Sequence, residues 1–364
     1  MDNMKRLNVT KTFLPPIEEY RQYVQQIWES DWLTNQGPLL QEFEQKIGQY
    51  LGVSNFHFVG NGTLAIMVAL QALDVTEGEV ITTPFSYVAT TSAIMWQGCR
   101  PVFVDIDPQT LCIDPNKIEA AITPATKAIL PVHVFGNPCD IEAIDAIAKK
   151  HNLKVIYDAA HAFNVTYNEQ SIFNHGDISI GSFHATKLFH TVEGGSLVVR
   201  DKLINDKVEL IKRFGHQGDE HVMLGINAKA SEFHAAMGLC NLKYVDDILS
   251  RRKTVAGWYD ELLGDSFERP VQSPEANRNY AYYPVLMHDE KRLLSLLAAL
   301  NQEQIFPRRY FYPSLNKLPY VVGVQSCPVS EDIANRIVCL PLHPGLERVD
   351  VEKICNILKQ PQVG

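Results

Sequence analysis

The chain has 364 residues, 46% hydrophobic and 21% charged, enough for one large α/β domain with a sizeable core and a smaller companion. A formal net charge of −9 excludes a protein built to grip a nucleic-acid backbone, whose footprint would be basic. No apolar run approaches the roughly 18 residues of a membrane span, and the polar start Met1-Asp2-Asn3-Met4-Lys5-Arg6-Leu7 lacks a signal-peptide core. Seven scattered cysteines form no C-x-x-C pair and read as thiols of a reducing cytosol, with neither a disulfide nor a metal framework.

In chain order, Pro15-Pro16 interrupts an irregular start, residues 17–30 read as a helix and 31–37 as a loop. Leu39, Phe43, Ile47 and Leu51 recur every four residues ahead of Gly52, which predicts an amphipathic helix with a glycine cap. A strand over 56–59 runs into Gly60-Asn61-Gly62-Thr63 and then an apolar helix over 64–70. A glycine-rich turn that opens a helix offers free N–H groups and a favourable dipole to an anion; an ordinary strand-to-helix turn reads the same way.

Strand and helix signals then alternate. Strands fall at 80–83, 101–105, 128–132, 155–158, 177–180 and 196–199, with helices at 90–96 and 140–151 between them. A further helix opens at Asp114-Pro115, where aspartate caps and proline takes the first helical position, and runs to Ile122. This rhythm predicts a mostly parallel sheet covered on both faces. After Arg200 it fades into a helix near 203–214, a long polar loop over 215–227, and helices over 230–243 and 244–263. A short strand at 281–286, a helix at 290–301 and a proline-rich tail follow. The expected division is a large domain over 1–245, N-terminal arm included, and a small α+β domain over 246–364.

Lys187 lies in Gly181-Ser182-Phe183-His184-Ala185-Thr186-Lys187, between two strand-like runs and ahead of Glu193-Gly194-Gly195. That is the end of a buried strand, where α/β proteins hold ligands. Asp158 ends another strand some thirty residues upstream, by rough count along the same sheet. An amine for an imine and a carboxylate for a pyridinium nitrogen are what pyridoxal phosphate chemistry requires. Singly, Lys187 also reads as a surface or ion-paired lysine, and Asp158 as a helix cap. His161, one turn on if residues 159–160 start a helix, can bond the ring's phenolic oxygen. Gly62, Thr63 and Ser182 can serve the phosphate, and Tyr87 can stack on the pyridine face or fill a core. Arg308 and Arg309 can bind a diphosphate by bidentate hydrogen bonds or form a basic surface turn. Tyr310 or Tyr312 can stack on a base or line a sugar pocket.

These pieces, in this order, resemble the sugar aminotransferases of the DegT/DnrJ/EryC/StrS family. The likeness runs from Trp32-Leu33-Thr34-Asn35-Gln36-Gly37-Pro38-Leu39 through Asn61-Gly62-Thr63, Pro84-Phe85-Ser86-Tyr87 and Asp158-Ala159-Ala160-His161. It continues through Ser182 to Lys187, Glu193-Gly194-Gly195 and Asn227 to Gly238, and closes at Leu340-Pro341-Leu342-His343-Pro344. The resemblance implies the aspartate aminotransferase fold (type I), with a large sheet domain and a small C-terminal domain. It implies that Lys187 carries pyridoxal phosphate and moves the proton, and that Asp158 holds the pyridinium. His161 stands where the family often has glutamine beside the ring oxygen, Tyr87 where an aromatic stacks, and Gly62, Thr63 and Ser182 where the phosphate sits. Asn227 matches an asparagine that reaches the phosphate of the neighbouring subunit, which implies a homodimer with shared active sites. Glutamate is the implied donor, with the cofactor cycling through pyridoxamine phosphate.

Two departures remove no catalytic group: Tyr157 replaces the usual acid before the aspartate, and Asn164 the usual glycine. Some relatives carry histidine at the Lys187 position and act as dehydratases, so lysine implies transamination. The stretch Arg308-Arg309-Tyr310-Phe311-Tyr312-Pro313 resembles members acting on nucleotide-linked 4-keto-6-deoxy sugars. Amination at C3, a cofactor-free Schiff-base aldolase and a non-catalytic sugar-nucleotide sensor are the competing expectations.

Overall fold

Strands buried at every position need helices over both faces of their sheet. Phe56–Val59, Glu79–Thr82 and Gly195–Val199 are such strands. The computed structural model describes residues 5–323 and 325–360. Residues 1–4 of the polar start and 361–364 of the tail lie outside that range. Seven strands form one sheet in the order Phe56–Val59, Gly195–Val199, Ile178–Ser182, Lys154–Asp158, Thr126–Leu130, Glu79–Thr82, Arg100–Phe103. The last five are parallel, while Gly195–Val199 runs antiparallel to both of its neighbours.

Alternation along the strands builds two cores. Phe58, Ile81, Ile129 and Tyr157 face one side with Leu39, Phe43 and Ile47 of the helix Pro38–Leu51. Val59, Val80, Leu130 and Ile156 face the other with Ala65, Ile66 and Ala69 of the helix Gly62–Ala72. Gly238 lets the helix Glu232–Leu242 lie against Phe43, since a Cβ there would be 2.5 Å from its ring. Glu232, at the start of that helix, accepts the amides of Leu39 and Leu40 at 2.8 and 3.1 Å and so caps the helix Pro38–Leu51 from outside it.

A second, smaller unit pairs the strands Tyr283–Leu286 and Ile337–Leu340 antiparallel. Its core joins Tyr259, Tyr283, Val285, Leu293, Leu340, Ile354 and Leu358. The expected proline-rich tail is instead regular, with helices Pro328–Arg336 and Arg348–Lys359 flanking that second strand. The prolines mark boundaries: Pro328 takes the first turn of its helix, where no N–H is missed. Glu347 and Asp350 form a reciprocal capping box that starts the last helix. The polar loop expected at 215–227 contains a short hairpin, His216–Gln217 against Glu220–His221.

The expected cut between residues 245 and 246 does not follow the packing. The helix Val245–Leu263 puts Val245 and Ile248 in the large core and Val255, Tyr259 and Leu263 in the small one. Leu7–Asn8 pairs with Ile305–Phe306, and Leu7 packs in the small core, so the start of the N-terminal arm joins the C-terminal unit, while Val9 packs in the large core. No helix among the described residues is long and apolar enough to cross a membrane. All seven cysteines are unpaired and buried.

Arg252, on the helix that spans both cores, is buried and donates to the carbonyls of Tyr280 and Ala281 at 2.8 and 2.6 Å. Burial pushes its guanidinium down to about 10, with Tyr282 opposing. Arg252→Met keeps the stem but strands two buried carbonyls, which removes about 2–4 kcal/mol of stability. The check is a lower urea midpoint at unchanged slope; an unmoved midpoint would show that the carbonyls find other partners.

Candidate active site

The parallel strands Lys154–Asp158 and Ile178–Ser182 end side by side, with Asp158 in register with Ile180. Asp158 and Ser182 therefore emerge at one edge of the sheet. Phe56–Val59 ends at the same edge, because Gly195 pairs with both Val59 and Ser182. Only glycine fits there: a Cβ on Gly195 would lie 2.4 Å from the Asn61 carbonyl group. Asn61 caps the helix Gly62–Ala72 by accepting the Leu64 amide at 2.9 Å. The amides of Gly62 and Thr63 precede the first intrahelical bond and remain available. A Cβ on Gly62 would lie 3.5 Å from the Ser182 hydroxyl, so that hydroxyl and the helix start border one small space. Two N–H donors, a hydroxyl and a positive helix end suit a phosphate.

The loop from Phe183 to Gly194 leaves this edge and returns to it, closed by Phe183 donating to the Gly194 carbonyl at 2.8 Å. Lys187 sits on it, half-buried, with its amide bonded to the His184 carbonyl at 2.8 Å. A cavity beside it is lined by Ala160, His161, Ser182, Lys187, Ala281 and Tyr282 among others. Burial pushes the Lys187 ammonium below the ordinary lysine range; Asp158 opposes most, then Tyr310 and Tyr87. Burial pushes the Asp158 carboxyl up, and the Ala160 amide, Lys187 and the Thr90 hydroxyl pull it back. The amide and hydroxyl donate to it at 3.0 and 3.1 Å.

His161 lies in a turn, not on the helix expected after Asp158: Asp158 caps that turn, and Ala162 bonds back to Ala159 at 2.8 Å. Its ring stacks on Phe311 (centroids 5.4 Å, planes 3° apart) and meets Tyr282 edge-on at 4.9 Å. Burial, then the Lys187 charge, holds this imidazole well below its usual range. The Phe135 amide donates to Nδ1 at 3.3 Å, so the neutral ring carries its proton on Nε2. Tyr87 precedes the helix Val88–Trp96 and is 60% exposed, an aromatic face open at the mouth of the site rather than a core filler.

The substrate residues expected at 308–312 separate. The guanidinium of Arg309 donates to Glu290 at 2.8 Å and to the Asn335 carbonyl at 3.2 Å, and it lies 3.5 Å over the Tyr312 ring. Arg309 and Tyr312 thus hold each other within the C-terminal unit, and two adjacent arginines do not form one clamp. Arg308 is exposed, and Tyr310 is half-buried beside Lys187. Asn227 is exposed next to Ala228, whose carbonyl accepts the Gly60 amide at 2.8 Å, which borders the phosphate-like turn. Thr90, Tyr282 and Phe311 were not singled out from the sequence. Their partners lie far along the chain, 68 residues in the case of Thr90 and Asp158, so no local pattern marks them.

The donor set fits pyridoxal phosphate: a phosphate turn, a buried acid for the ring nitrogen, and a desolvated amine. Comparison with known proteins agrees. Residues 16–359 match the DegT/DnrJ/EryC1/StrS aminotransferase family. The chain is 43% identical to a dTDP-4-amino-4,6-dideoxy-D-glucose transaminase of Shigella dysenteriae, over 98% of this chain and 99% of that one. It is 39% identical to a transaminase of the same name from Escherichia coli, over the same shares. Its fold superposes on DesI, solved in the presence of its TDP-sugar product, with a TM-score of 0.91 and 30% identity, covering 97% of this chain and 92% of that one. For S. venezuelae DesV in complex with a ketimine intermediate, the TM-score is 0.88 at 26% identity, over 94% of each chain. The chain belongs to the DegT/DnrJ/EryC1/StrS aminotransferase family and is a sugar aminotransferase that works with pyridoxal phosphate.

Proposed function

We propose that the protein transfers the amino group of glutamate to C4 of dTDP-4-keto-6-deoxy-D-glucose, giving dTDP-4-amino-4,6-dideoxy-D-glucose. One observation carries the reading: Asp158 at a strand end, the loop of Lys187 that leaves the neighbouring strand, and the helix start at Gly62 meet at one edge of the sheet. The names of the two transaminases at 43% and 39% identity support the sugar and the position of the amine. Glutamate follows the family resemblance. The product suits an amino sugar of lipopolysaccharide O-antigen or another surface polysaccharide, assembled from cytoplasmic precursors.

When bound, the cofactor supplies an electron sink next to the amine being moved, cycling between pyridoxal and pyridoxamine phosphate. The protein's part is charge, position and proton transfer. Asp158, as a carboxylate, stabilises a proton on the pyridine nitrogen. Lys187, with its proton affinity lowered by burial, is neutral more often than a surface lysine, so it can take a proton from carbon and return it. His161 would offer Nε2–H to the ring's phenolic oxygen, and Tyr87 would stack on the ring. Gly62, Thr63 and Ser182 would hold the phosphate, and Asn227 would reach the phosphate site of a partner subunit. A homodimer with shared sites also gives cover to Trp32, Leu33, Trp96 and Leu224, all large, apolar and exposed. Arg308 and Tyr310 face the sugar nucleotide, with Arg309 and Tyr312 shaping the segment that carries them.

The test is incubation with dTDP-4-keto-6-deoxy-D-glucose and glutamate, with NMR of the product. An amine at C3, or no amination, sinks the assignment. Lys187→Ala should reduce turnover to background and shift the absorption of the holoenzyme toward that of free pyridoxal phosphate; full turnover by this variant refutes the role of Lys187. Thr90→Val removes a bond that lowers the Asp158 pKa, so that pKa rises further. The carboxylate is then lost at a higher pH than in the parent as acid is added. Cofactor affinity, titrated by absorbance over about pH 5–8, should fall earlier on the acid side than in the parent.

A further inference from the structure

The loop that carries Lys187 is held from outside by the N-terminal arm, on both sides of the lysine. Two residues before it, the Ala185 carbonyl accepts the Thr12 hydroxyl at 2.9 Å. Three residues after it, buried His190 lies 2.6 Å from the Phe13 carbonyl through Nε2. A carbonyl only accepts, so Nε2 carries the proton. Nδ1 then takes the Val192 amide at 3.2 Å, and the His190 carbonyl accepts Asn241 of the helix Glu232–Leu242 at 2.8 Å. Both ring nitrogens and the backbone carbonyl of this histidine therefore join three segments: the arm, the lysine loop and a helix of the large unit. Burial keeps the ring below the ordinary imidazole range, the Phe13 carbonyl opposing, which matches a neutral brace and not a proton carrier.

The other end of the arm is fastened to the C-terminal unit. Val9 donates to the Phe306 carbonyl and accepts from the Leu342 amide, both at 3.0 Å. Lys5 pairs with Asp350 at 2.6 Å. A segment of nine residues, 5–13, thus spans from the strand Ile305–Phe306 to the loop of the reactive amine. The stretch that follows that strand carries Tyr310 and Phe311, which border Lys187 and His161.

We propose that the arm is a positioning element for Lys187, and that His190, with Thr12, is the residue through which it acts. It rests on Lys187 being the reactive amine. Neither residue touches the reacting atoms; they limit the freedom of the loop that carries them. The arm also ties the placement of the amine to that of the C-terminal wall of the cavity, so both sides of the site move as one body.

The test uses the holoenzymes of His190→Ala, His190→Gln and Thr12→Val. Hydrogen exchange is read on the loop amides of Lys187 and Thr191, which bond to the His184 and Phe183 carbonyls. Affinity for pyridoxal phosphate and turnover are measured beside it. In His190→Ala, loop exchange should quicken about tenfold and kcat fall roughly 10- to 100-fold at nearly unchanged KM, the signature of a misplaced group. Glutamine can still donate to the Phe13 carbonyl and should recover most of the loss. Thr12→Val should show a smaller change in the same direction, and it decides the matter if His190→Ala fails to fold. Faster exchange with unchanged kcat and cofactor affinity would make the brace merely structural and overturn the proposal. So would a glutamine variant no better than alanine, or a Thr12→Val variant identical to the parent. Exchange and cofactor affinity do not depend on which sugar is the substrate, so a wrong sugar assignment leaves this test intact.

Discussion

A carboxylate and an amine inside one desolvated space set the terms for the rest of the molecule. Burial pushes the Asp158 carboxyl up and the Lys187 ammonium down, each toward its uncharged form. Each charge opposes that drift in the other. The Thr90 hydroxyl and the Ala160 amide add weight on the carboxylate side, and among the described residues no comparable hydrogen-bond acceptor holds the charge of Lys187. The balance is therefore lopsided in a useful way. Two hydrogen-bond donors pull the acid toward its ionised form, while only neighbouring charges hold the amine toward its own.

The direction of the strands makes this pairing possible. A chain that leaves the carboxyl end of a parallel strand and must return to the same edge within a short loop can re-enter only as an antiparallel strand. Gly195–Val199 is that strand, the one reversal in an otherwise parallel arrangement of neighbours. It returns the lysine loop to the sheet between Ser182 and Val59, which brings the phosphate-like turn at Gly62 alongside. Glycine at 195 follows from the same crowding, since the Asn61 backbone leaves no room for a side chain. The reversal in the sheet and the convergence of acid, amine and phosphate turn are one geometric fact.

Much of this was legible in the sequence because parallel strands buried on both faces are continuous apolar runs, and their ends carry the polar residues. Asp158, Ser182 and the 60–63 turn could be placed at strand ends on that basis alone. Residues whose role depends on distant partners could not. Thr90 reads as one helical threonine among several until Asp158 is folded against it. Arg309 and Arg308 look equivalent as neighbours, yet one is spent on Glu290 and Tyr312 and the other is exposed. The tail misled for a different reason: its prolines sit at element boundaries, where they permit helices instead of breaking them. The arm reads as part of the large domain because it is close in sequence, whereas its hydrogen bonds divide between residues near 305 and 342 of the C-terminal unit and Ala185 and His190 of the large one.

The same energetics bear on whether the fold is used for catalysis or only for recognition. Keeping an acid and an amine out of water is expensive, and replacing such a pair with apolar side chains of similar volume is often neutral or stabilising. A sugar-nucleotide sensor built on this scaffold would gain nothing from Lys187, because a mobile proton contributes no binding energy. It would gain nothing from the Thr90 and Ala160 donors that keep Asp158 charged against its burial. It would equally have no use for a loop clamped on both sides of the lysine by the N-terminal arm. A cofactor-free aldolase would share the need for the amine but not for an acid kept ionised opposite it, nor for a phosphate turn beside it. The full set fits a ring bearing a phosphate and a basic nitrogen, the cofactor of the aminotransferase family to which the chain belongs.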